Sequence, residues 1–248
     1  MKPRLAGRVA IITGAGSGIG RSTALLFSDE GAKVIVSDIM AEGGNTTVDL
    51  IKARGGEATF VRSDVSKAID AKNLVDQALM HYGRLDILFN NAGINLEKTV
   101  LETSEEEFDR VIDVNLKGVF LCSKYAIPEL VKSGKGIIIN TASMVAIRGQ
   151  YHLAAYCASK GGVIALTKAM AKDLERHNIR VNSICPSGVL TPMHEAFLAT
   201  LSPTEREAQE KRANKLAKPE EIASIALFLA SDESSFVSGV ALPVDRAN

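Results

Sequence analysis

Seven short runs of apolar and β-branched residues recur along the chain, and longer segments with helical spacing separate them. Between residues 70 and 83, for example, Leu74, Ala78 and Leu79 fall on one face of a helix. The short runs are continuously apolar, which is typical of strands that are covered on both faces. The alternation predicts an α/β fold, in which a doubly wound parallel sheet carries helices on both faces. The predicted strands are residues 8–13, 33–38, 58–64, 85–91, 136–143, 179–185 and 240–245.

The same alternation bounds the domain organisation. A length of 248 residues permits one large domain or two small ones, and no linker, repeat or low-complexity segment divides the chain. We therefore expect one domain over residues 1–248. Residues 189–218 interrupt the alternation with a polar, helix-prone segment beyond the last strands, where ligands bind in doubly wound sheets. We expect a substrate lid there; a solvated helical excursion is the alternative.

Charge and cysteine content argue against several classes of protein. The 29 basic and 29 acidic side chains balance, which argues against a nucleic-acid partner. No apolar stretch approaches the roughly 20 residues that a membrane-spanning helix needs. Cys122, Cys157 and Cys185 form no C-x-x-C pair, so neither a disulfide framework nor a metal site is indicated. We expect a cytoplasmic protein with buried thiols, no metal and no membrane partner.

The stretch TGAGSGIG occupies residues 13–20, directly after the first predicted strand and at the start of the first helix. Glycines there permit positive φ and let the backbone approach a pyrophosphate, which the helix N-terminus attracts. The spacing does not match a strict G-x-G-x-x-G, but its place between strand and helix favours a dinucleotide site. We expect the cofactor to contact Gly14, Ser17, Gly18, Ile19 and Gly20.

Asp38 ends the second predicted strand. An acidic side chain at this position accepts hydrogen bonds from the adenine-ribose hydroxyls of NAD and repels the 2′-phosphate of NADP. No basic residue follows it directly, and Ser17 occupies the loop position from which an arginine could reach that phosphate. The sequence therefore predicts NAD as the cofactor rather than NADP. The alternative is an ordinary aspartate in a turn after a strand.

Five motifs occur in the order found in one enzyme family. They are TGAGSGIG, NNAG at residues 90–93, Asn115, Ser143, and YCASK at residues 156–160. Over essentially the whole chain, the sequence resembles the short-chain dehydrogenase/reductase family. The resemblance implies a single Rossmann-type domain with a seven-stranded parallel sheet, often assembled into tetramers, and NAD(P)-dependent interconversion of alcohols and carbonyls. It also implies a catalytic triad of Ser143, Tyr156 and Lys160, with Asn115 as a fourth member.

The chemistry of Tyr156 and Lys160 supports this assignment independently. Four residues apart, they face the same way on a helix. A tyrosine has an unperturbed pKa of about 10, and lowering it by roughly 2–3 units requires about 3–4 kcal/mol. An ammonium at about 4 Å supplies roughly 4 kcal/mol at an effective dielectric constant of about 20. We expect Tyr156 to be the general acid/base and Lys160 to lower its pKa and to hold the nicotinamide ribose. Taken alone, such a pair occurs by chance on many helices.

Two further residues complete the predicted reaction site. Ser143 should end the fifth strand and hydrogen-bond the substrate oxygen as charge develops on it. A turn residue after a strand is the alternative for this serine. The resemblance assigns Asn115 a water that links Lys160 to solvent as a proton relay; a residue that caps a turn is the alternative.

Further cofactor contacts are predicted after several strands. Asp64 and Val65 should contact adenine from the end of the third strand, unless they only precede a helix. The NNAG stretch should support the cofactor and the central strands. After the sixth strand, Pro186-Ser187-Gly188 replaces the Pro-Gly that is common in the family, so Ser187 adds a side chain beside the nicotinamide. The additional predicted cofactor residues are Asn91, Ala92, Gly93, Pro186, Val189 and Thr191.

The substrate pocket is predicted to mix apolar and neutral polar side chains. Substrate contacts are expected from Ser143, Tyr156, Gln150, His152 and Met193, although His152 could be an ordinary loop residue. No arginine cluster demands a carboxylate or a phosphate, which favours a small or medium secondary alcohol or its ketone. The wider set of candidate pocket residues adds Asn95, Leu96, Met144, Val189 and Phe197.

Three other functions stay open. A 3-oxoacyl-thioester reductase would prefer NADPH and would need a basic docking surface near the lid, and Asp38 argues against it. A sugar or polyol dehydrogenase would share the same site. A non-catalytic NAD-binding redox sensor would have a broken triad, whereas Ser143, Tyr156 and Lys160 are all present.

The resemblance also implies a homo-oligomer, a dimer or a tetramer. The PVDRAN ending departs from the glycine-containing ending that is common in the family, which weakens the case for the tetramer.

Overall fold

The computed structural model describes residues 3–200, 206 and 216–246, and it contains a seven-stranded parallel sheet. The strands are β1 (Val9–Thr13), β2 (Lys33–Asp38), β3 (Ala58–Arg62), β4 (Ile87–Asn90), β5 (Ile137–Thr141), β6 (Arg180–Pro186) and β7 (Ala241–Val244). Their order across the sheet is β3-β2-β1-β4-β5-β6-β7. The predicted doubly wound α/β fold is confirmed, and every predicted strand is present.

Helices follow the strands in the predicted alternation. They are α1 (Gly18–Asp29), α2 (Ala41–Ala53), α3 (Ala68–Tyr82), α4 (Glu105–Ile112), α5 (Gly118–Ser133), α6 (Val145–Arg148), α7 (Ala154–Leu174), α8 (Pro192–Thr200) and α9 (Pro219–Ala230). A π-helical turn, Asp113–Lys117, joins α4 to α5. A left-handed glycine, Gly83, ends α3 as its sequence position predicts.

Both faces of the sheet are covered, which explains why the strands are mostly apolar. In β1, Ala10 and Ile12 pack into a layer with Phe27 of α1 and Leu227 of α9. The alternate residue Ile11 points into the opposite layer, which contains α3, α5 and α7. Successive side chains of a strand face opposite sides of the sheet, so apolar residues are needed at successive positions of β1 rather than at every second one.

The strand order places two sequence motifs side by side. Because β1 pairs with both β2 and β4, with Ile11 opposite Ile35 and Leu88, the chain direction across the sheet reverses at β1 and β4. Ligands of doubly wound sheets bind in the crevice at such a switch point, beyond the carboxyl ends of the strands. The glycine loop follows β1 and the NNAG stretch follows β4, so both border this crevice.

Two of the boundaries that differ from the predicted ones concern candidate site residues. Strand β5 ends at Thr141, two residues before Ser143, although Ala142 N still donates to Ile184 O of β6 at 2.8 Å. Strand β3 ends at Arg62, so Asp64 also lies beyond its strand.

The segment predicted as a lid, residues 189–218, follows β6, and main-chain hydrogen bonds join its two ends. Leu190 N donates to Ala217 O, and Ala217 N donates to Gly188 O, both at 2.9 Å. Helix α8 fills the first part of the segment, while residues 201–205 and 207–215 lie outside the described residues. In the part of the chain that the structure describes, no helix is long and apolar enough to cross a membrane.

Candidate active site

Two of the four predicted catalytic residues, Asn115 and Lys160, meet where β4 and β5 end. Lys160 Nζ donates to the main-chain oxygen of Thr141 at 2.7 Å, which anchors α7 to the end of β5. A methyl group on Gly93 would lie 3.2 Å from Asn115 Oδ1 and 3.4 Å from Lys160 Nζ. Both side chains therefore crowd against the same glycine of the NNAG stretch.

Tyr156 completes the cluster. Its hydroxyl is hydrogen-bonded to the Ser143 side chain, and the centre of its ring lies 5.7 Å from Lys160 Nζ. Helix α7 carries both residues on one face, as their spacing of four predicts. The structure thus brings together all four candidates that the sequence singles out.

Burial dominates the electrostatics of the cluster. Burial raises the pKa of the Tyr156 hydroxyl to about 12, although the hydrogen bond with Ser143 acts in the opposite direction. Burial also lowers the pKa of the Lys160 ammonium to about 8. In the protein alone, Lys160 does not offset the effect of burial on the pKa of Tyr156, and the positive charge of an oxidised nicotinamide is not yet counted. Loss of hydration disfavours both charged forms, and Lys160 already donates to Thr141.

The lowered pKa of Lys160 leads to a testable pH dependence of stability. The unfolded chain keeps this proton up to a pH near 10.5, whereas the folded chain loses it near 8. Between these values the unfolded state binds more protons, so the contribution of Lys160 to the free energy of unfolding rises with pH. We expect the free energy of unfolding of wild type minus that of Lys160→Met to increase by about 2 kcal/mol from about pH 7.5 to 9.5.

Urea unfolding at several pH values measures this difference. Tyr156 begins to contribute in the opposite direction near the top of this window, but it is present in both wild type and Lys160→Met, so most of its contribution cancels in the difference. Lys172→Met, which changes an exposed lysine on the same helix, is the matched control. A difference between wild type and Lys160→Met that stays flat with pH would contradict the burial of a charged lysine.

Asn115 lies in the π-helical turn and is fully buried. Its Oδ1 accepts from Ile94 N at 2.8 Å, and its Nδ2 donates to Ile94 O at 2.9 Å and to Ser159 Oγ at 3.1 Å. Both side-chain donors are therefore used within the protein. The water that the resemblance assigns to Asn115 would have to bind to an oxygen of this residue. Ser159 was not predicted, because nothing in its local sequence reveals a partner 44 positions away.

The glycine loop is packed too tightly for side chains at two positions. Gly14 has a φ of +64°, and a methyl group on Gly20 would lie 2.1 Å from Gly14 O. The loop ends at Ser17, which precedes α1, and the first turn of this helix carries no acidic residue. Helix α1 therefore presents an N-terminus that fits an anionic pyrophosphate. Gly18 lies beside Thr191: a methyl group added to Gly18 would lie 3.1 Å from Thr191 Cγ2.

The NNAG stretch is tied to this loop. Thr13 Oγ1 accepts from Asn91 N at 3.0 Å and from Ala92 N at 3.1 Å, and Asn91 Nδ2 donates to Thr13 O at 3.1 Å. Thr13 was missed as a site residue because its role depends on a strand that is remote in sequence. These contacts connect the glycine loop to Gly93 and so to the catalytic cluster.

Asp38 is held in place by two main-chain groups. Its Oδ2 accepts from Gly16 N at 2.8 Å, and its Oδ1 accepts from Met40 N at 2.9 Å. Arg21, which the sequence did not single out, donates to Gly16 O and to Thr47 Oγ1, so it binds the glycine loop to α2. The carboxylate of Asp38 therefore borders the loop in a defined position.

The remaining predicted cofactor residues occupy varied positions. Asp64 Oδ1 accepts from Ser66 Oγ at 2.7 Å, and the Val65 side chain is buried between α3 and α5. Pro186 O accepts from Met144 N at 2.9 Å. Ser187 N donates to Val244 O at 3.1 Å, so β7 anchors the main chain at the residue that departs from the family pattern. The Ile19 side chain is partly buried and packs against the core, and the Val189 side chain is buried within it.

The predicted substrate residues separate into two groups. Ser143 contacts Tyr156, whereas Gln150, His152 and Met193 are exposed. His152 adopts a φ of +59°, a left-handed conformation that is uncommon outside glycine, in the turn that leads into α7. Within the described residues, no group of three or more His, Cys, Asp or Glu side chains could hold a metal ion.

Comparison with known proteins shows the family of the chain. A family model described as enoyl-(acyl carrier protein) reductase matches residues 14–246. The chain is 42% identical over 244 residues to a 3-oxoacyl-[acyl-carrier-protein] reductase of Thermotoga maritima, covering 98% of each chain. It is 40% identical over 244 residues to a meso-2,3-butanediol dehydrogenase of Serratia marcescens, covering 98% of this chain and 94% of the relative.

Among solved structures, levodione reductase superposes with a TM-score of 0.92 at 35% identity, covering 98% of this chain and 97% of that one. Fold and sequence similarity therefore agree over nearly the whole length. The chain belongs to the short-chain dehydrogenase/reductase family, whose members are oxidoreductases that act on CH–OH groups.

Proposed function

We propose that this enzyme is an NAD-dependent dehydrogenase that interconverts a secondary alcohol and its ketone, with Tyr156 as the general acid/base. The observation that carries the proposal is the contact of Tyr156 with Ser143, with Lys160 Nζ 5.7 Å from the centre of the tyrosine ring. A hydroxyl that can exchange a proton thus lies beside a second hydroxyl and a cation, as alcohol oxidation requires.

Each residue has a role in the oxidative direction. Tyr156 accepts the proton of the substrate hydroxyl, and Ser143 donates a hydrogen bond to the same oxygen. NAD, when bound, supplies the acceptor for the hydride and a positive charge on the nicotinamide ring. Lys160 holds the nicotinamide ribose and keeps a positive charge near Tyr156 at neutral pH, and Asn115 connects Lys160 to solvent through a water.

Lys160 alone is too weak to ionise Tyr156. Bringing a pKa of about 12 down to roughly 8 requires about 5 kcal/mol. At about 6 Å and an effective dielectric constant of about 20, the ammonium of Lys160 contributes about 3 kcal/mol. A second positive charge is therefore needed, and we expect Tyr156 to stay protonated until the oxidised cofactor is bound.

Asp38 supports the choice of NAD over NADP. Its two oxygens are fixed by Gly16 N and Met40 N, so the carboxylate does not move away from a ligand at the end of β2. Each oxygen keeps capacity to accept a further hydrogen bond from a ribose hydroxyl. A 2′-phosphate at the same place would be repelled by the negative charge of this carboxylate.

The other proposed cofactor contacts lie along the edge of the sheet where the strands end. Lys160 and Tyr156 hold the nicotinamide ribose, and the N-terminus of α1 holds the pyrophosphate. The full proposed set is Gly14, Ser17, Gly18, Ile19, Gly20, Asp38, Asp64, Val65, Asn91, Ala92, Gly93, Tyr156, Lys160, Pro186, Val189 and Thr191.

Gly20→Ala tests the tight packing of the glycine loop. The added methyl group would lie 2.1 Å from Gly14 O, so the loop must shift. Overpacking costs about 1–3 kcal/mol, and we expect the dissociation constant of NADH to rise about tenfold or more. NADH fluorescence measures it. Gly161→Ala, where a methyl group meets nothing within 4 Å, is the control, and equal affinities in both variants would contradict the assignment.

The substrate is proposed to be a small or medium secondary alcohol or ketone that is covered by a lid over residues 189–218. Both ends of this segment are joined beside β6, where Leu190 N donates to Ala217 O, so the segment begins and ends next to the crevice. Gln150, His152 and Met193 are the proposed contacts at the rim of the pocket. The whole chain, residues 1–248, is proposed to form one domain.

We further propose a homo-oligomer, a dimer or a tetramer, in the cytoplasm. Apolar side chains on and before α4 and α5 are exposed, with Leu101 98% and Phe120 48% accessible, which supports a subunit contact there. The three cysteines are free, which agrees with a reducing compartment.

A second candidate is reduction of a 3-oxoacyl thioester. The similarity to the Thermotoga maritima reductase favours it. It predicts NADPH as the cofactor, and the position of Asp38 argues against that preference. Oxidation of a diol or a sugar is favoured in turn by the similarity to the butanediol dehydrogenase.

Absorbance at 340 nm distinguishes these candidates. Purified protein is tested with NAD or NADP against secondary alcohols, diols, sugars and hydroxyacyl thioesters. We expect NADH formation with one class of alcohol and little reaction with NADP. Turnover with NADP alone would refute the assignment of Asp38, and cofactor binding without turnover of any substrate would favour a redox sensor.

A further inference from the structure

Ser159 joins the two parts of the chain that carry the candidate catalytic residues. Its side chain is fully buried on α7. Ser159 Oγ accepts from Asn115 Nδ2 at 3.1 Å and donates to the main-chain oxygen of Tyr156 at 2.8 Å. One hydroxyl thus bridges the π-helical turn and the first turns of α7.

The partner of Ser159 lies in an irregular part of the backbone. In a π-helical turn, main-chain bonds skip a residue, so the regular helix does not by itself fix the direction of the Asn115 side chain. Two contacts fix it instead: Ile94 on one side and Ser159 on the other. Loss of the Ser159 hydroxyl would leave one buried donor of Asn115 unsatisfied, which favours a shift of the amide.

Such a shift would reach the reaction site directly. Asn115 Oδ1 and Lys160 Nζ flank Gly93, each within 3.4 Å of the same point. The Tyr156 carbonyl, to which Ser159 donates, belongs to the proposed acid/base. A displacement of about 1 Å at such a site costs up to roughly 100-fold in rate.

We infer that Ser159 is a positioning residue for the reaction: it sets Asn115 against the turn of α7 that carries Tyr156 and Lys160. The inference rests on the proposed function. The step that Ser159 affects is proton transfer, and cofactor binding through Asp38 and the glycine loop is separate from it. Ser159 therefore acts on kcat more than on the KM for NAD.

A second buried serine offers a matched control. Ser123 on α5 is also buried, and it accepts from Asn90 Nδ2 at 3.2 Å, a contact between α5 and β4. A serine that is only structural should therefore behave like Ser123. Both Ser→Ala changes remove one hydroxyl of the same size from a buried hydrogen bond.

The first experiment compares Ser159→Ala with Ser123→Ala. We expect Ser159→Ala to lower kcat about tenfold or more, with the KM for NAD within about twofold of wild type. Ser123→Ala is expected to lower the Tm without changing kcat at a temperature well below that Tm. A kcat for Ser159→Ala within twofold of wild type, or equal kcat losses in the two variants, would overturn the inference.

A double-mutant cycle on kcat tests the path through Asn115. If Ser159 acts by holding Asn115, the Ser159→Ala/Asn115→Ala variant loses no more activity than Asn115→Ala alone. If the losses of kcat in the two single variants multiply in the double variant, the inference is wrong. Tyr156→Phe separates this outcome from failure of the proposed function. If Tyr156→Phe is inactive and Ser159→Ala has normal activity, only the role of Ser159 is refuted. If Tyr156→Phe is active, the proposed function itself is refuted.

Discussion

Tyr156→Phe is expected to lower kcat by about 10²–10⁴-fold, the range that general acid–base catalysis contributes. The change removes only the hydroxyl oxygen, which contacts Ser143 and, in the proposed mechanism, exchanges the proton of the substrate. The ring remains in place above Lys160, so the helix and its anchor on Thr141 should be undisturbed. One proposed contact to the nicotinamide ribose is lost with the hydroxyl, but Lys160, Asp38 and the glycine loop remain, so the affinity for NADH should fall much less than kcat.

Steady-state rates at 340 nm and NADH fluorescence measure the two quantities separately. Tyr151→Phe is the matched control, because Tyr151 lies five residues earlier and is 88% exposed. It should keep wild-type kcat. Should Tyr156→Phe keep nearly full activity, another group must carry the proton, and the proposed mechanism fails.

Asp38→Asn is expected to lower the preference for NAD over NADP, measured as a ratio of kcat/KM values, by about 100-fold. A unit charge at about 4 Å contributes roughly 4 kcal/mol at an effective dielectric constant of about 20. Removing most of such a repulsion, about 3 kcal/mol, corresponds to about two orders of magnitude in the ratio of the kcat/KM values for NAD and NADP. Asparagine keeps one oxygen that can still accept from Gly16 N or Met40 N, so the glycine loop should keep its position.

The comparison requires both cofactors with one substrate at the same ionic strength, because screening weakens the repulsion. Asp49→Asn, at an exposed position on α2, controls for the change in net charge. A ratio that is unchanged in Asp38→Asn would mean that this carboxylate does not face the adenine ribose.

Most of the fold could be predicted from local pattern. The apolar runs predicted all seven strands, because a strand buried on both faces has mostly apolar side chains. Their ends were less predictable: Ser143 and Asp64 fall beyond β5 and β3. Residues 201–205 and 207–215 of the predicted lid stay a prediction.

The site was predicted in part. Spacing placed Tyr156 and Lys160 on one helix face, and the resemblance added Ser143 and Asn115; the structure brings all four together. Thr13, Arg21 and Ser159 were missed. Each is an ordinary polar residue in its own segment, and each acquires its role from partners elsewhere in the chain.

The sequence by itself determined the order of strands and helices, the glycine loop after β1 and the placement of Tyr156 and Lys160 on one helix face, since these depend on neighbours within a few positions. Only the tertiary structure decided the pKa values of these two residues. Hydration is lost through packing of α7 against β5, β6 and the π-helical turn, segments that no local pattern relates. Burial therefore raises the pKa of Tyr156 and lowers that of Lys160, and proximity of the two residues in sequence does not reveal either shift.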